Sequence, residues 1–554
     1  MRFHLSRMAT AMALSGLLLP LAQAQVTPDA GQSIREIEQA PLSLPTRQTL
    51  DLELPDDPAG EAEPGGPSLW VEGFRLSGNR AIADDTLLAL LDDLRQRTLG
   101  LGEVRGAAER ISHHYRERGY PLARAYLPPQ EIEDGVVEIA VLEGHYGEVR
   151  LDNRSRLRDG ALATPLAALA AGDAVRAKTL ERSLLLLQDI PGVAARATLA
   201  PGSEPGTSDL LIEADPGPLL SGSLEADNHG NRYTGEYRLG GTLHLNSPLG
   251  LGDRLSLRAL GSDEDQQYYR AAYQLPVGPW STQLGVAYSD MDYELARDFS
   301  DLDAHGNARI ASGYAIQPLL RSRDLSLYAQ LQYDDKRLRD RIDLFDQRSD
   351  KRSRVVTAAL HGNSRDDLFG GGVNAFGLAW SHGRLSLDDA LDELIDRLTA
   401  DTQGHFNTLS PSLVRLQRLD ERFSLYARLQ GQWADSNLDS SEKFGLGGAH
   451  GVRAYPQGEA LGDQGYLANL ELRYALTPAW QLSSFLDHGR VRLDKDPWSD
   501  GDNHRSLSGA GVGATWAAHG WYVNAVAAWK LGSDEPRSDS DRSPRIWAQV
   551  AKTF

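Results

Sequence analysis

From Leu219 to the C-terminus, apolar and polar residues alternate with a period of two. Leu325, Leu327, Ala329, Leu331 and Tyr333 fall on one side of such a run; Ser326, Gln330, Gln332 and Asp334 fall on the other. Phe423, Leu425, Ala427, Leu429 and Trp433 oppose Ser424, Arg428, Gln430 and Gln432. In Arg232–Leu245, Tyr233, Tyr237, Leu239, Leu243 and Leu245 share one face. A soluble sandwich also alternates, but it buries its apolar face and keeps charge off it. Here the alternation repeats to position 554, with Gly- and Asp-rich breaks between runs. That is the outward-apolar, inward-polar pattern of a transmembrane β-barrel built from strands of ~9–11 residues. About sixteen strands are expected, an even number. They are least defined at 290–322 and 385–405, where Leu385–Leu398 also reads as a short loop helix. Trp280, Trp433, Trp480, Trp521 and Trp529 fall near strand ends, where an interfacial girdle would place them. The last run puts Ile546, Ala548, Val550 and Phe554 outward. Phe554, an aromatic closing the chain, is expected to be the signal for barrel assembly.

The period changes upstream. Val71, Phe74 and Leu76 begin a strand. Leu87, Leu90, Leu91 and Leu94 then recur at helical spacing after Asp84, a cap candidate. A second helix carries Val104, Ala107, Ala108, Ile111 and Tyr115 on one face and stops at Gly119. Strands follow at Ala123–Leu127 and through Val137, Ile139 and Val141. The order then repeats: a strand at Val149–Leu151, helices at 158–170 and 177–188, strands at Ala194–Leu199 and Asp209–Ala214. Two tandem βααββ units predict small interaction domains. Each offers sheet edges that an extended peptide could lengthen by main-chain hydrogen bonds.

The N-terminus reads as a secretory signal peptide. Arg2 and Arg7 precede the apolar run Ala9–Leu21, and Ala22-Gln23-Ala24 gives a cleavage site after Ala24. Residues 27–40 predict a short polar helix with Thr27 as N-cap and Pro28 as first helical residue. With Ile34 and Ile37 its only apolar side chains, it buries little by itself; it is either an unstructured start or a polar plug for an aqueous space. Residues 41–67, with six prolines and six acidic residues, predict an extended linker.

Composition narrows the class. An exported chain without cysteine has neither a disulfide framework nor a thiolate metal site. A net charge of −20 argues against nucleic acid as a partner. No H-E-x-x-H, G-x-S-x-G or Walker motif occurs. His113 and His114 are adjacent on a helix and do not share a face. Neither an enzyme, a cofactor nor a metal site is expected.

One stretch fits none of these elements. Gly447–Asp463 is Gly-rich, lacks a continuous apolar face and lies between two strands. It holds Val452, Arg453, Ala454 and Tyr455. In the strand Trp480–Val491, which holds Phe485-Leu486-Asp487-His488-Gly489, Trp480, Leu482 and Leu486 face outward, so Asp487 faces the lumen. An arginine on an inward loop and a carboxylate on the inner wall are natural partners, since the guanidinium fork suits a carboxylate. Parity alone leaves open whether the two meet or are separately hydrated.

The chain resembles the TpsB family, the outer-membrane transporters of two-partner (type V) secretion, also called haemolysin activation/secretion proteins. The resemblance is carried by Gly119-Tyr120-Pro121-Leu122-Ala123-Arg124-Ala125-Tyr126-Leu127-Pro128 and Glu143-Gly144. Ile190-Pro191-Gly192-Val193 and Ser208-Asp209-Leu210 follow, then Gly451–Glu459 and Phe485–Gly489. The wider superfamily has V-R-G-Y/F in the loop, and Ala454 replaces that glycine here. The resemblance implies a signal peptide (1–24), a plug helix (25–40), a linker (41–67) and two periplasmic POTRA domains (68–146 and 147–217). A barrel at 218–554 with an inward loop at 443–465 would follow. It further implies that Val452, Arg453, Tyr455 and Asp487 form a latch in the lumen, with Phe485 and Gly489 as the barrel motif, and that residues 27–40 plug the pore at rest. The implied partner is a large secreted exoprotein (TpsA-type), recognised through its N-terminal secretion domain and crossing unfolded. Outer-membrane lipids and the barrel-assembly machinery are further implied partners. A barrel-assembly insertase of the same superfamily is the alternative, and a passive porin a more distant one.

Overall fold

The computed structural model describes residues 27–38, 44, 52–53 and 68–554. The signal peptide expected at 1–24 and most of the linker lie outside the described residues.

In the first small domain, Gly73–Ser77 runs parallel to Val136–Leu142, which pairs antiparallel with Arg124–Tyr126 on its other side. Val137, Ile139 and Val141 alternate inward against Leu87, Leu91, Val104, Ile111 and Tyr115. Asp84, expected as a cap, is instead the first residue of the helix Asp84–Leu88, with Ala83 at the cap position. Its carboxylate accepts from the side chain of Asn79 at 2.6 Å, which diverts it from the helix backbone.

Glu143 is buried, and one of its oxygens accepts from the N–H groups of Arg80 and Ala81 at 2.6 Å each and from the Tyr115 hydroxyl at 2.8 Å. Burial, followed by that hydrogen bond, holds the Tyr115 hydroxyl well above its usual ionisation range. Glu143→Ala would leave three donors unpaired, each costing about 1–3 kcal/mol if no water replaces the carboxylate. The variant is expected to unfold at clearly lower urea in a fragment of residues 68–217; an unchanged midpoint would show the motif to be dispensable for stability.

In the second domain His145–Asn153 runs parallel to Thr207–Pro216, which pairs with Val193–Pro201. This strand begins at His145, so the domain division expected between 146 and 147 falls two residues earlier. Leu180, Leu184 and Leu187 of the helix Ala177–Gln188 pack onto the sheet. The strand Val193–Pro201 at the edge of this sheet is partly covered by the chain itself: Leu52 and Glu53 pair with Ala197 and Thr198 in parallel.

The remainder closes into a sixteen-stranded antiparallel barrel. Its strands are β1 (Leu220–Asp227), β2 (Arg238–Asn246), β3 (Arg254–Ser262) and β4 (Gln267–Val277). Next come β5 (Thr282–Glu294), β6 (Ala304–Arg321), β7 (Leu325–Ile342) and β8 (Gln347–Asp366). β9 (Gly372–Leu387), β10 (Gly404–Arg418), β11 (Phe423–Ala434) and β12 (Gln464–Ala475) follow. β13 (Trp480–Arg492), β14 (His504–Ala518), β15 (Trp521–Lys530) and β16 (Arg545–Thr553) complete the ring. Closure leaves no open edge. At the seam Gly222 and Phe554 exchange backbone hydrogen bonds of 3.0 Å, and the Phe554 ring lies on the outer surface.

We call the rim beside the small domains the near rim. There Asp189 accepts from Nε and Nη2 of Arg321 at 2.7 and 2.8 Å, and Glu181 accepts from the backbone N–H of Arg323 at 2.8 Å. Trp280, Trp480 and Trp521 point outward at this rim, and Trp433 and Trp529 do so at the far rim. β6, β7 and β8 have 18, 18 and 20 residues, far beyond the ~9–11 needed to span a bilayer. The strand β9 ends at Leu387 and the loop helix is Ala390–Leu398, so Leu385 belongs to the wall and not to the helix. Tyr233 also departs from the outward face expected for it. Residues 228–237 form a far-rim loop, and Tyr233 turns in against Phe299.

The helix Ala30–Glu38 is seated inside the barrel. Ala30, Ile34 and Ile37 are buried with Tyr268, Met291 and Leu338 of the inner wall. Its cap is Asp29 and not Thr27. Asp29 Oδ1 accepts from the Gln32 N–H at 2.8 Å, while Ser440 Oγ donates to the same carboxylate. An anchor 411 residues away therefore decides where this helix starts. The Ala30 N–H donates to Asp340 at 2.8 Å. At the other end Glu38 accepts from Ser289 at 2.7 Å and pairs with Arg270 at 3.2 Å. Burial of the polar helix is thus matched by polar partners on the wall, which a count of its two isoleucines does not foresee.

Candidate functional site

The segment between β11 and β12 does not rise from the far rim but folds back into the lumen. Phe444–Gly445 and Leu461–Gly462 pair at its neck. Beyond them the Val452 N–H donates to the Leu446 carbonyl at 2.7 Å, and the Tyr455 N–H donates to Val452 at 3.0 Å. Gly448 adopts φ +101° at this fold, a conformation that residues with a Cβ rarely adopt. The loop carries its own apolar core: Leu446, Val452, Ala454 and Tyr455 are buried against Leu467, Phe485, Leu507, Val526 and Trp547 of the inner wall. The wall has room because glycines face the loop. A Cβ on Gly489 would sit 2.6 Å from Leu446, and one on Gly509 would sit 2.7 Å from Ala454. Ala454 lies outside the left-handed region, so its methyl introduces no backbone strain.

This packing delivers Arg453 to Asp487. Nε donates to Oδ2 at 2.9 Å and Nη2 to Oδ1 at 2.7 Å, a bidentate fork. The backbone N–H of Arg453 adds a third bond to Oδ2 at 3.1 Å. The Asp487 side chain is 0 % exposed. The guanidinium carbon lies 3.5 Å from the centre of the Phe485 ring, a cation–π contact on the two-residue step before Asp487. Gly511 pairs opposite Phe485 and leaves space for that ring. The Tyr455 hydroxyl donates to the carbonyl of Asp534, in the far-rim loop between β15 and β16, at 3.2 Å.

Sequence reasoning missed several partners. Nη1 of Arg453 donates to Glu471 at 2.6 Å, and Glu471 pairs with Arg473 at 2.8 Å. Asn469 donates to Asp487 at 2.8 Å and to the Gly451 carbonyl at 3.0 Å. Trp547 Nε1 donates to the Arg453 carbonyl at 2.7 Å. Asn469 and Glu471 share the inward parity of β12, and the register that sets them opposite Asp487 and Phe485 is a tertiary property. Glu459, also unforeseen, is buried at the loop's return, paired with Arg505 and accepting from the N–H groups of Arg537 and Ser538. Toward the near rim a polar cavity of about 480 Å³ opens, lined by Arg428, Arg473, Asn524 and Gln549 among others, with Leu44 reaching it. The arrangement holds the loop against the inner wall beside this cavity; among the described residues of the site, no side chain is set up as a nucleophile with a base.

Residues 206–516, more than half of the chain, match the model of the haemolysin secretion/activation protein family ShlB/FhaC/HecB. The chain belongs to this family. Residues 69–144 also match the ShlB-type POTRA domain. The heme/hemopexin transporter protein HuxB of Haemophilus influenzae is 28 % identical over the full length of both chains. Among solved structures, CdiB from Escherichia coli superposes with a TM-score of 0.71 at 20 % identity, covering 99 % of this chain and 98 % of that one. BamA from Haemophilus ducreyi gives a TM-score of 0.53 at 14 % identity, over 88 % of this chain and all of that one, which is a likeness of fold. The family member is an outer-membrane secretion protein. Its POTRA domain is periplasmic, so the near rim faces the periplasm and the far rim the cell exterior.

Proposed function

We propose that this chain secretes one large partner exoprotein, which enters from the periplasm, crosses the lumen unfolded and folds outside. The observation that carries the reading is a closed barrel whose interior is filled by two separable pieces of its own chain, the helix Ala30–Glu38 and the loop around Arg453. Both are held by side-chain packing and polar contacts to the wall, and neither is a strand of the barrel's own ladder. The POTRA domains would bind the client's N-terminal secretion domain, with edge strands such as Arg124–Tyr126 offering main-chain donors and acceptors. Arg453 and Asp487 are a latch in this account, with no catalytic part. Folding outside would supply the direction, since the sequence holds no nucleotide-binding motif. Phe554, on the outer surface at the seam, fits the role of a signal for the barrel-assembly machinery.

The insertase reading draws on the BamA-like fold, but the family match to secretion proteins favours a pore. Co-expression with a candidate exoprotein tests this: the exoprotein should reach the medium when this chain is present and stay cell-associated when it is absent. A loss of many outer-membrane proteins on deletion, with exoprotein release unchanged, would instead favour the insertase.

A further inference from the structure

The outer wall of β6–β9 carries a band of arginine that the secretion account does not use. The outward residues Leu331, Tyr333, Val356, Leu360 and Trp380 form an apolar and aromatic belt. Immediately toward the exterior the character changes. Asp335, Arg354 and Arg384 lie opposite one another across β7, β8 and β9. Two residues further out, Arg309, Arg337 and Arg352 align across β6, β7 and β8. Beyond them come Arg339 opposite Asp350, then Arg341 opposite Arg348. Each such step along a strand is ~6.6 Å.

Three of these arginines have carboxylate partners: Arg309 with Asp290 at 3.2 Å, Arg339 with Asp350 at 3.2 Å, and Arg352 with Asp335. Arg337, Arg341, Arg348, Arg354 and Arg384 are exposed and form no ion pair among the described residues. Elsewhere on this rim the outward residues are mainly aromatic, among them Tyr237, Tyr269, Trp433, Tyr466 and Trp529, with Arg490 and the half-buried Arg492 on β13. A chain of net charge −20 thus gathers most of the outward arginines of this rim on one arc, just above its lipid belt.

We infer that this arc binds the phosphorylated glycolipid of the outer leaflet through its lipid A phosphates. Side chains that point away from the lumen at this height meet membrane headgroups and not a client inside the pore. The guanidinium fork matches phosphate oxygens bidentately. Clustered cations at a membrane surface gain from anionic headgroups, and the acyl chains would lie on the belt below. The two rows nearest the belt, with Arg337, Arg354 and Arg384, stand at the depth of those phosphates, and the outer rows reach the phosphorylated sugars above.

The test uses the full-length protein in detergent, with bisphosphorylated and fully dephosphorylated lipid A of the same acylation as probes and bound lipid counted by native mass spectrometry. The wild type should retain the bisphosphorylated form about tenfold better. The triple variant Arg337→Gln, Arg354→Gln, Arg384→Gln should lose that preference, with folding verified by heat-modifiable migration. Arg415→Gln, at the periplasmic rim, should keep it. Equal retention of the two lipids by the wild type, or an undiminished preference in the triple variant, would overturn the assignment. So would a triple variant that retains lipid A normally but no longer secretes, which would assign the arc to the exoprotein; lipid A retained equally by all proteins would mark it as an adventitious additive only.

Discussion

Asp487→Ala is expected to abolish most secretion while leaving an assembled barrel. Asp487 accepts four hydrogen bonds, three from Arg453 and one from Asn469, and its side chain has no exposure. Removing it leaves a buried guanidinium with Glu471 as its remaining carboxylate. Breaking one side of such a buried pair costs about 3–5 kcal/mol. That is a change of more than about a hundredfold in the balance between docked and undocked loop. The backbone ladder of β13 does not depend on this side chain, so heat-modifiable migration should persist. Arg453→Ala should behave similarly, because it leaves the buried carboxylate of Asp487 without a cation, while Glu471 keeps Arg473. Glu471→Gln should be milder, since the fork to Asp487 remains. Exoprotein in the medium, measured against the cell-bound pool, separates the cases. Normal release by both the Asp487→Ala and Arg453→Ala variants would remove the latch from the account.

The second large effect is expected from the lumen helix. Gly31 lies where the helix crosses the inward loop: a Cβ there would sit 2.6 Å from Ser440 Oγ and 2.8 Å from the Ser441 nitrogen. Gly31→Val cannot be absorbed by a flexible side chain, because one of the opposing atoms is backbone. It should unseat the helix and break the contacts of Asp29 with Ser440 and of the Ala30 N–H with Asp340. Single-channel conductance in planar bilayers should rise, and deletion of residues 25–38 should raise it at least as far. Conductance that stays at the wild-type level in the deletion would show that the helix does not obstruct the pore.

What was legible in the sequence follows from the range of the interactions involved. A period of two announces which way each side chain of a strand faces, so Asp487 and Phe485 could be placed on the inner wall from β13 alone. Glu471 and Asn469 obey the same parity, but their meeting with Arg453 depends on the register of β12 against β13 and on a loop folded back between them. Nothing within β12 sets them apart from other inward polar residues. The helix near the N-terminus was visible in outline, yet Thr27 and Asp29 are both good caps; Ser440 and Asp340, far along the chain, choose between them. The fate of Tyr233 was hidden for the same reason, since an aromatic in a loop is drawn inward by Phe299, which another loop supplies. The arginine rows of β6–β9 were not visible because strands of ~9–11 residues were expected, and these continue well beyond that length.

An unfolded client is expected to pass through the lumen. A photo-crosslinking amino acid at Gln549, on the inner wall beside the polar cavity, tests it against the same probe at Leu470, which points outward on β12. With a secretion-stalled exoprotein, a cross-link to the client is expected from position 549 and none from position 470. Capture from 470 with none from 549 would place the client outside the barrel and contradict it.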